Sequence, residues 1–269
     1  MSDFDPPRGT VEQVVATALA EDFGILGDIT SLATIPRGDL AAAAFVARDS
    51  GVVAGTAAAT EVYRQVDRSV VVTWFVADGS TVASGTVVGE VSGYTRSVLA
   101  GERVALNLLS HLSGVATLTR RYVDAVAATG ATTRIRDTRK TLPGLRALQK
   151  AAVRAGGGAN HRDSLSDAVL VKDNHLAVLG IADAVAAARG RWPGRVVEAE
   201  PVEAEELLDH EREFVAGPFG IGRDAPVVDQ FATVEQADDR VGVPCVDGEQ
   251  HGSPLSRCRG RCRAPARSG

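Results

Sequence analysis

The chain has 269 residues, 45% of them hydrophobic, enough for one large α/β domain or two smaller ones around a real core. Aromatic residues make up 4%, so that core is built mainly from Ala, Val and Leu. A net charge of −5 argues against nucleic acid as a general partner, no segment has the apolar length of a membrane span, and the first residues, MSDFDPPRGT, do not read as a signal peptide.

Thr10 with Gln13 fits a capping box, and Val11, Val14, Val15, Ala18 and Leu19 follow at helical spacing. This first helix is expected to pack and to carry no chemistry. From Leu40 to Ser92, β-prone runs such as VVVTWFV are punctuated by Asp78-Gly79, Gly85 and Gly89 and predict a small mixed sheet. Leu99 to about Ala127 predicts a helix with Leu108, Leu112, Val115, Tyr122 and Val126 on one side. Ser113-Gly114 is its candidate interruption, and His111 within it is expected in the core.

The rhythm then changes to strand, loop, helix. Thr132–Arg136 is expected as a strand and DTRKT as the loop after it. Leu145, Leu148 and Ala152 mark a helix that ends before Gly156–Gly158, a run expected to be a flexible turn rather than a phosphate cradle. Ala168–Val171 predicts a buried strand followed by KDNH, Ile181–Ala188 a helix, Arg195–Glu200 a strand and Val202–Asp209 a helix. Repeated units of this kind imply a parallel sheet or barrel, because parallel strands need crossover connections. Reactive groups in barrels sit where strands end, and Asp137–Lys140, Lys172–His175 and Glu198–Glu200 all fall at such ends. No internal repeat is present.

The charge is unevenly placed. Arg134 to His175 holds nine Lys/Arg against four Asp, 9 − 4 = +5, leaving −5 − 5 = −10 for the rest of the chain. All three lysines, Lys140, Lys150 and Lys172, lie in this stretch. Lysine is a compact point charge, whereas arginine is a planar fork that grips carboxylate or phosphate with two bonds. Mixed together beside His161 and His175, they read as a pocket for a polyanionic small molecule. Lys150 and Arg154 are expected to lie instead on a solvated helix face, and His175 to be a satisfied structural histidine. The three cysteines, Cys245, Cys258 and Cys262, imply no disulfide framework, so a reducing cytoplasm is the expected location, and two thiols at Cys258-x₃-Cys262 are weak evidence for a metal.

DTRKT, PGLRALQK, GGGANHR and VKDNH, preceded by GERVALNLLSHLSGVAT at Gly101–Thr117 and GDITSLATIP at Gly27–Pro36, resemble the quinolinate phosphoribosyltransferases, the carboxylating nicotinate-nucleotide pyrophosphorylases of NAD synthesis. The resemblance implies an α/β protein. Its parts would be an N-terminal mixed α/β sandwich domain over residues 1–114, a parallel β/α barrel domain, complete or incomplete, over 115–244, and an atypical tail over 245–269. The tail, with five Arg and two Cys between Arg257 and Gly269, is expected to be disordered.

The same resemblance implies that Arg139, Arg162 and Lys172 face the two carboxylates of quinolinate, with His161 and Thr138 in the substrate-binding set. Lys140 faces the phosphoribosyl pyrophosphate donor. Arg103 is lent across a homodimer interface, where the residues alone suggest a surface ion pair with Glu102 or a helix neighbour. Only one of Glu198 and Glu200 is expected at the barrel mouth, and the resemblance implies Glu200. With Asp229, in Val227–Phe231, Glu200 serves the ribose and a substrate-borne Mg²⁺, so Lys140, Glu200 and Asp229 form the catalytic set. The implied reaction transfers phosphoribosyl to quinolinate with decarboxylation, giving nicotinate mononucleotide, pyrophosphate and CO2. Alternatives are a ModD-like relative using another acceptor, a non-catalytic remnant, and a polyanion-binding module using the Arg-rich tail. From Val241 onward the family's glycine-bearing phosphate loop and last barrel strand are replaced by a run that reads as translation of a shifted frame. A barrel without its last strand leaves unpaired edges.

Overall fold

The computed structural model of the chain describes residues 4–199 and 241–242. The expected Val202–Asp209 helix, Glu200, Asp229, the cysteines and the tail lie outside the described residues.

The first helix, α1 (Arg8–Phe23), buries Val11, Val15 and Leu19, the apolar positions its spacing marks. The capping box does not form. The helix starts at Arg8 behind Pro7, whose carbonyl accepts the Thr10 amide at 2.9 Å, so Thr10 lies already inside the first turn. A short α2 (Ile29–Thr34) is capped by Asp28, whose Oδ1 accepts the Ser31 amide at 3.0 Å.

The strands β1 (Leu40–Ala47), β3 (Val71–Trp74) and β5 (Val87–Tyr94) form one sheet in the order β3-β5-β1, and β2 (Gly51–Val52) pairs with β4 (Thr81–Val82). Every one of these pairings is antiparallel, where the sequence suggested a mixed sheet. The connections are short turns and one helix, α3 (Thr56–Val66), and they carry the chain past its neighbour, so that β1 pairs with β5, β2 with β4 and β3 with β5. The two-residue β8 (Val241–Gly242) adds antiparallel to the β1 edge at Val46 and Ala47.

On the covered face Phe45 is fully buried, stacked on Trp74 at 4.9 Å between centroids and edge-on to Tyr63 at 6.4 Å. Asp78 of the Asp78-Gly79 turn accepts the Gly55 and Thr56 amides at 2.8 and 3.2 Å, supplying the first turn of α3 with a carboxylate cap.

The spine is α4 (Thr95–Ala128), 34 residues without interruption at Ser113-Gly114. Its buried residues recur every three or four positions, from Val98 and Gly101 through Ala105, Leu108 and Leu112 to Val115 and Thr119. Gly101 is needed for close approach: a Cβ there would stand 2.7 Å from Cε1 of Tyr63. Below Val115 the same helix receives α5 (Arg146–Ala155). Gly156 and Gly158 make that contact possible, since added carbons would press on the Ala116 carbonyl, on Thr119 at 2.6 Å and on Val153 at 2.7 Å. The glycine run is therefore a tight packing device, with only Gly157 requiring its positive φ of 90°.

The C-terminal part holds β6 (Val169–Val171), α6 (Asp173–Leu176), α7 (Ile181–Arg191) and β7 (Val197–Ala199). β6 and β7 pair parallel, with α6 and α7 between them, which is the unit a β/α barrel repeats. The expected strand at Thr132–Arg136 is only an isolated parallel bridge between Arg136 and Ala159. Two of its five positions, Arg134 and Arg136, carry exposed charges, and its bridge partner Ala159 lies outside any described strand, so the ladder is not extended. Among the described residues no helix is long and apolar enough to cross a membrane.

Candidate active site

Lys150 stands at the centre of the cation-rich stretch. It is 2% exposed in the middle of α5, where Leu148, Gln149, Ala151 and Ala152 are buried as well. The expected solvated face is thus a buried one, because α4 and the loops after Arg136 and Ala159 enclose this helix. A buried ammonium must be paired. Its Nζ lies 2.5 Å from Asp137 Oδ1, donates to the His161 carbonyl at 3.0 Å and stands 3.3 Å from Asp163 Oδ1. Arg154 is also engaged, donating to Asn160 Oδ1 at 2.5 Å and to the Phe4 carbonyl at 3.0 Å.

Asp137 collects the other end of this network. Its Oδ1 also accepts the His161 amide at 2.8 Å and its Oδ2 accepts from Asn160 Nδ2. Arg146 closes the loop that follows, donating to Thr141 Oγ1 at 3.1 Å and to the Asp163 carbonyl at 3.0 Å. Gln149 adds a third tie. Its Oε1 accepts the Leu142 amide at 3.1 Å, so its NH2 end faces His111 Nε2 at 2.8 Å. Burial pushes the His111 pKa down, which keeps the ring neutral and its Nε2 an acceptor.

The expected site residues fall onto this frame as follows. Thr138 is exposed and its Oγ1 accepts the Lys140 amide at 3.0 Å, turning the loop so that Lys140 is exposed beside it. Arg139 is half-buried, and its Nε is buried with no hydrogen-bond partner among the described residues. His161 is half-buried, with Nε2 2.6 Å from Glu198 Oε2. Arg162 donates to the Ala168 carbonyl at 3.0 Å. Beyond it, Asp167 closes the 163–166 turn; its bonds from the Ser164 hydroxyl and the Asp163 and Ser164 amides hold its carboxyl below the usual range.

Lys172 ends β6 with a half-buried side chain, and its backbone N–H donates to His175 Nδ1 at 3.0 Å, the structural role expected of that histidine. Arg103 is exposed on α4 and forms no ion pair among the described residues, so the surface pair with Glu102 is not made. It stands eight residues, about 12 Å, along α4 from His111, where the helix meets Gln149.

Glu198 also faces this cluster, against the expectation that it points elsewhere. Residues two apart along a strand share a face, and the Glu198 carboxylate meets His161 and lies 4.0 Å from Arg136. Asp137, placed by the sequence only at a strand end, carries the frame with Arg146, Lys150 and Asn160, which the sequence-based reading gave no role in the site. A signal for Lys150 existed: it is one of three lysines in a chain that otherwise uses arginine, on a helix whose neighbours are apolar. Among the described residues no group of three or more His, Cys, Asp or Glu stands ready to hold a metal ion.

An α/β chain that gathers forked and point cations in loops beside parallel strands defines a class, the enzymes that bind polyanionic small molecules. Comparison with known proteins makes it specific. The family models of the N-terminal and C-terminal domains of quinolinate phosphoribosyl transferase match residues 28–113 and 115–242, and the chain belongs to that family.

The carboxylating nicotinate-nucleotide pyrophosphorylase of Mycobacterium leprae is 45% identical over 210 residues, covering 77% of this chain and 72% of that protein. The chloroplastic enzyme of the same name from Oryza sativa subsp. japonica is 45% identical over 174 residues, 65% of this chain and 46% of its own. The chain thus spans about half the length of the plant relatives it matches. Among solved structures, the nicotinate-nucleotide pyrophosphorylase from Francisella tularensis superposes with a TM-score of 0.69 at 38% identity, over 76% of this chain and 71% of that one. NadC from Streptococcus pyogenes gives 0.70 at 39% identity, over 74% and 70%.

Proposed function

We propose that the chain transfers phosphoribosyl from phosphoribosyl pyrophosphate to quinolinate with decarboxylation, in NAD synthesis. The observation that carries this reading is Arg139. Its Nε is a buried donor without an acceptor among the described residues, in a loop whose neighbouring backbone groups are bound by Thr138 and Arg146. An orphaned guanidinium N–H inside a fixed loop is costly unless something supplies the acceptor. A substrate carboxylate would do so with the planar match that arginine favours.

In this reading Arg139, Arg162 and Lys172, with His161, hold the vicinal carboxylates of the pyridine, and Lys140, exposed at the loop tip with Thr138 beneath it, meets the donor's phosphates. Pyrophosphate leaves C1 of the ribose as the pyridine nitrogen attacks it. The C2 carboxyl is then lost as CO2, its bonding electrons passing to the ring carbon, which takes a proton. The protein's part is orientation and charge: fixed cations meet negative charge as it builds on the leaving pyrophosphate and the ring.

Magnesium is proposed to arrive on the donor pyrophosphate, with Glu200 and Asp229 as its protein carboxylates. Arg103 is proposed to serve the pocket of a second copy in a homodimer. Its exposure, its lack of an ion pair among the described residues and its distance along α4 support that role. A cytoplasmic location goes with this chemistry.

The test is release of labelled CO2 from the C2 carboxyl of quinolinate, with and without phosphoribosyl pyrophosphate. Donor-dependent release is expected. Arg139→Ala is expected to lower kcat/KM for quinolinate about 100-fold or more, as loss of a bidentate contact in a dry site does. A folded, dimeric chain that releases no CO2 overturns the reading and leaves a remnant or another acceptor.

A further inference from the structure

We infer that Lys150 is a positioning residue of this site: one buried ammonium, held on Asp137, sets the two cation-bearing loops in register with each other. The inference rests on the proposed function only for what the loops bind. The first loop carries Thr138, Arg139 and Lys140 directly after Asp137, and the second carries His161 and Arg162 directly after Asn160. Arg146 ties their far ends, donating to Thr141 Oγ1 in the first and to the Asp163 carbonyl in the second. Between them the backbone offers only the bridge at Arg136 and Ala159, with the Asp137 amide on the Ala159 carbonyl at 3.1 Å.

Lys150 supplies the missing constraint. It donates to Asp137 Oδ1 and to the His161 carbonyl, and Asp163 Oδ1 adds an ion pair at 3.3 Å. Asp137 answers by taking the His161 amide on the same oxygen and the Asn160 amide group on the other. His161 is therefore held by both its N–H and its C=O, one on each member of a single ion pair. The pair is also tied to α5 by Asn160 Nδ2 on the Lys150 carbonyl at 2.9 Å. A charge pair this dry gains little over an apolar pair in stability, but it fixes geometry, since each partner is held by hydrogen bonds to more than one group. Arg139 and Arg162 stand two residues and one residue from bonded backbone of Asp137 and His161, so a shift of the pair moves both.

The decisive variant is Lys150→Met with Asp137→Asn, which removes both charges together and leaves an acceptor for the His161 amide. Lys150→Met alone strands a buried carboxylate and serves as the unstable control. Hydrogen exchange is read on peptides covering 136–142 and 159–164. Both are expected to lose protection together in the double variant while α4 keeps its own, and protection retained in either overturns the inference. In the active wild-type background the double variant, at wild-type thermal stability, is expected to raise the quinolinate KM about tenfold or more. An unchanged KM with a merely lower melting point would make Lys150 structural only, and the inference would fall. Should the wild-type chain release no CO2, the functional reading fails alone, and the exchange result still decides on Lys150.

Discussion

The two halves of the molecule are held together by opposite means. Around the antiparallel sheet, cohesion is apolar: Phe45, Tyr63, Val62, Val88 and Val91 are all but fully buried, and glycines bring backbone and ring into contact. Around α5 the buried centre is a lysine with an aspartate, and the loops hang on hydrogen bonds given by Arg146 and Asn160 and accepted by Gln149. The first arrangement tolerates no gap. The second tolerates no unpaired charge. A region that has to present cations to a ligand cannot be organised by grease alone, and here the same chemistry that would bind the ligand also orders the loops.

Two substitutions should hurt about equally and differ in their remedy. Phe45→Ala is expected to cost about 3–5 kcal/mol by urea denaturation, through lost burial and the cavity left between Trp74 and Tyr63. Lys150→Met should cost about 3–5 kcal/mol, because Asp137 is left charged and buried. Adding Asp137→Asn should return most of the second loss. A double variant as unstable as Lys150→Met alone would erase the contrast between the halves.

Gly156→Ala comes next, at about 1–3 kcal/mol, since its methyl would press on the Ala116 carbonyl and α5 would have to move off α4. His111 sharpens the comparison through pH. Its folded pKa lies below the ordinary value of 6.5 because it is buried, so the unfolded chain binds the proton first. Stability should fall as pH drops below about 6.5 and through the folded pKa, and His111→Gln should flatten that part of a denaturation-versus-pH curve. The smallest effect is expected at the exposed Arg8–Glu12 pair, 2.9 Å apart, where Arg8→Ala should stay within about 0.5 kcal/mol.

The same contrast explains what could be read from the sequence. Helical spacing located α1, α4 and α5, and short apolar runs located β6 and β7, because a buried stripe leaves its period in the residues. Periodicity could not tell that Thr10 lies inside α1, since Pro7 and not a side chain sets the start. The Arg134–His175 charge excess pointed to this stretch, and Asp137 of DTRK and His161 of HR do meet on one frame. The frame itself was hidden. A lysine on a helix is most often solvated, and only the approach of Asp137 and Asn160 from elsewhere in the chain makes Lys150 an interior residue. Glu198 was available to the reading, for residues two apart in the expected Arg195–Glu200 strand would share a face.

The family matches end at residue 113 and resume at 115, inside α4, a rod of 34 residues and about 51 Å. Thr117, past that junction, accepts the Val52 amide at 2.8 Å, and Ser113, before it, accepts the Ala54 amide at 3.0 Å. The Ala116 carbonyl two residues beyond Gly114 is where Gly156 docks. Two ties cross the junction, Thr117 with Val52 and His111 with Gln149, so a gene fragment coding for either match alone would lack a partner for each. A recombination point inside this helix would sever both ties and expose the helix end at which each half docks.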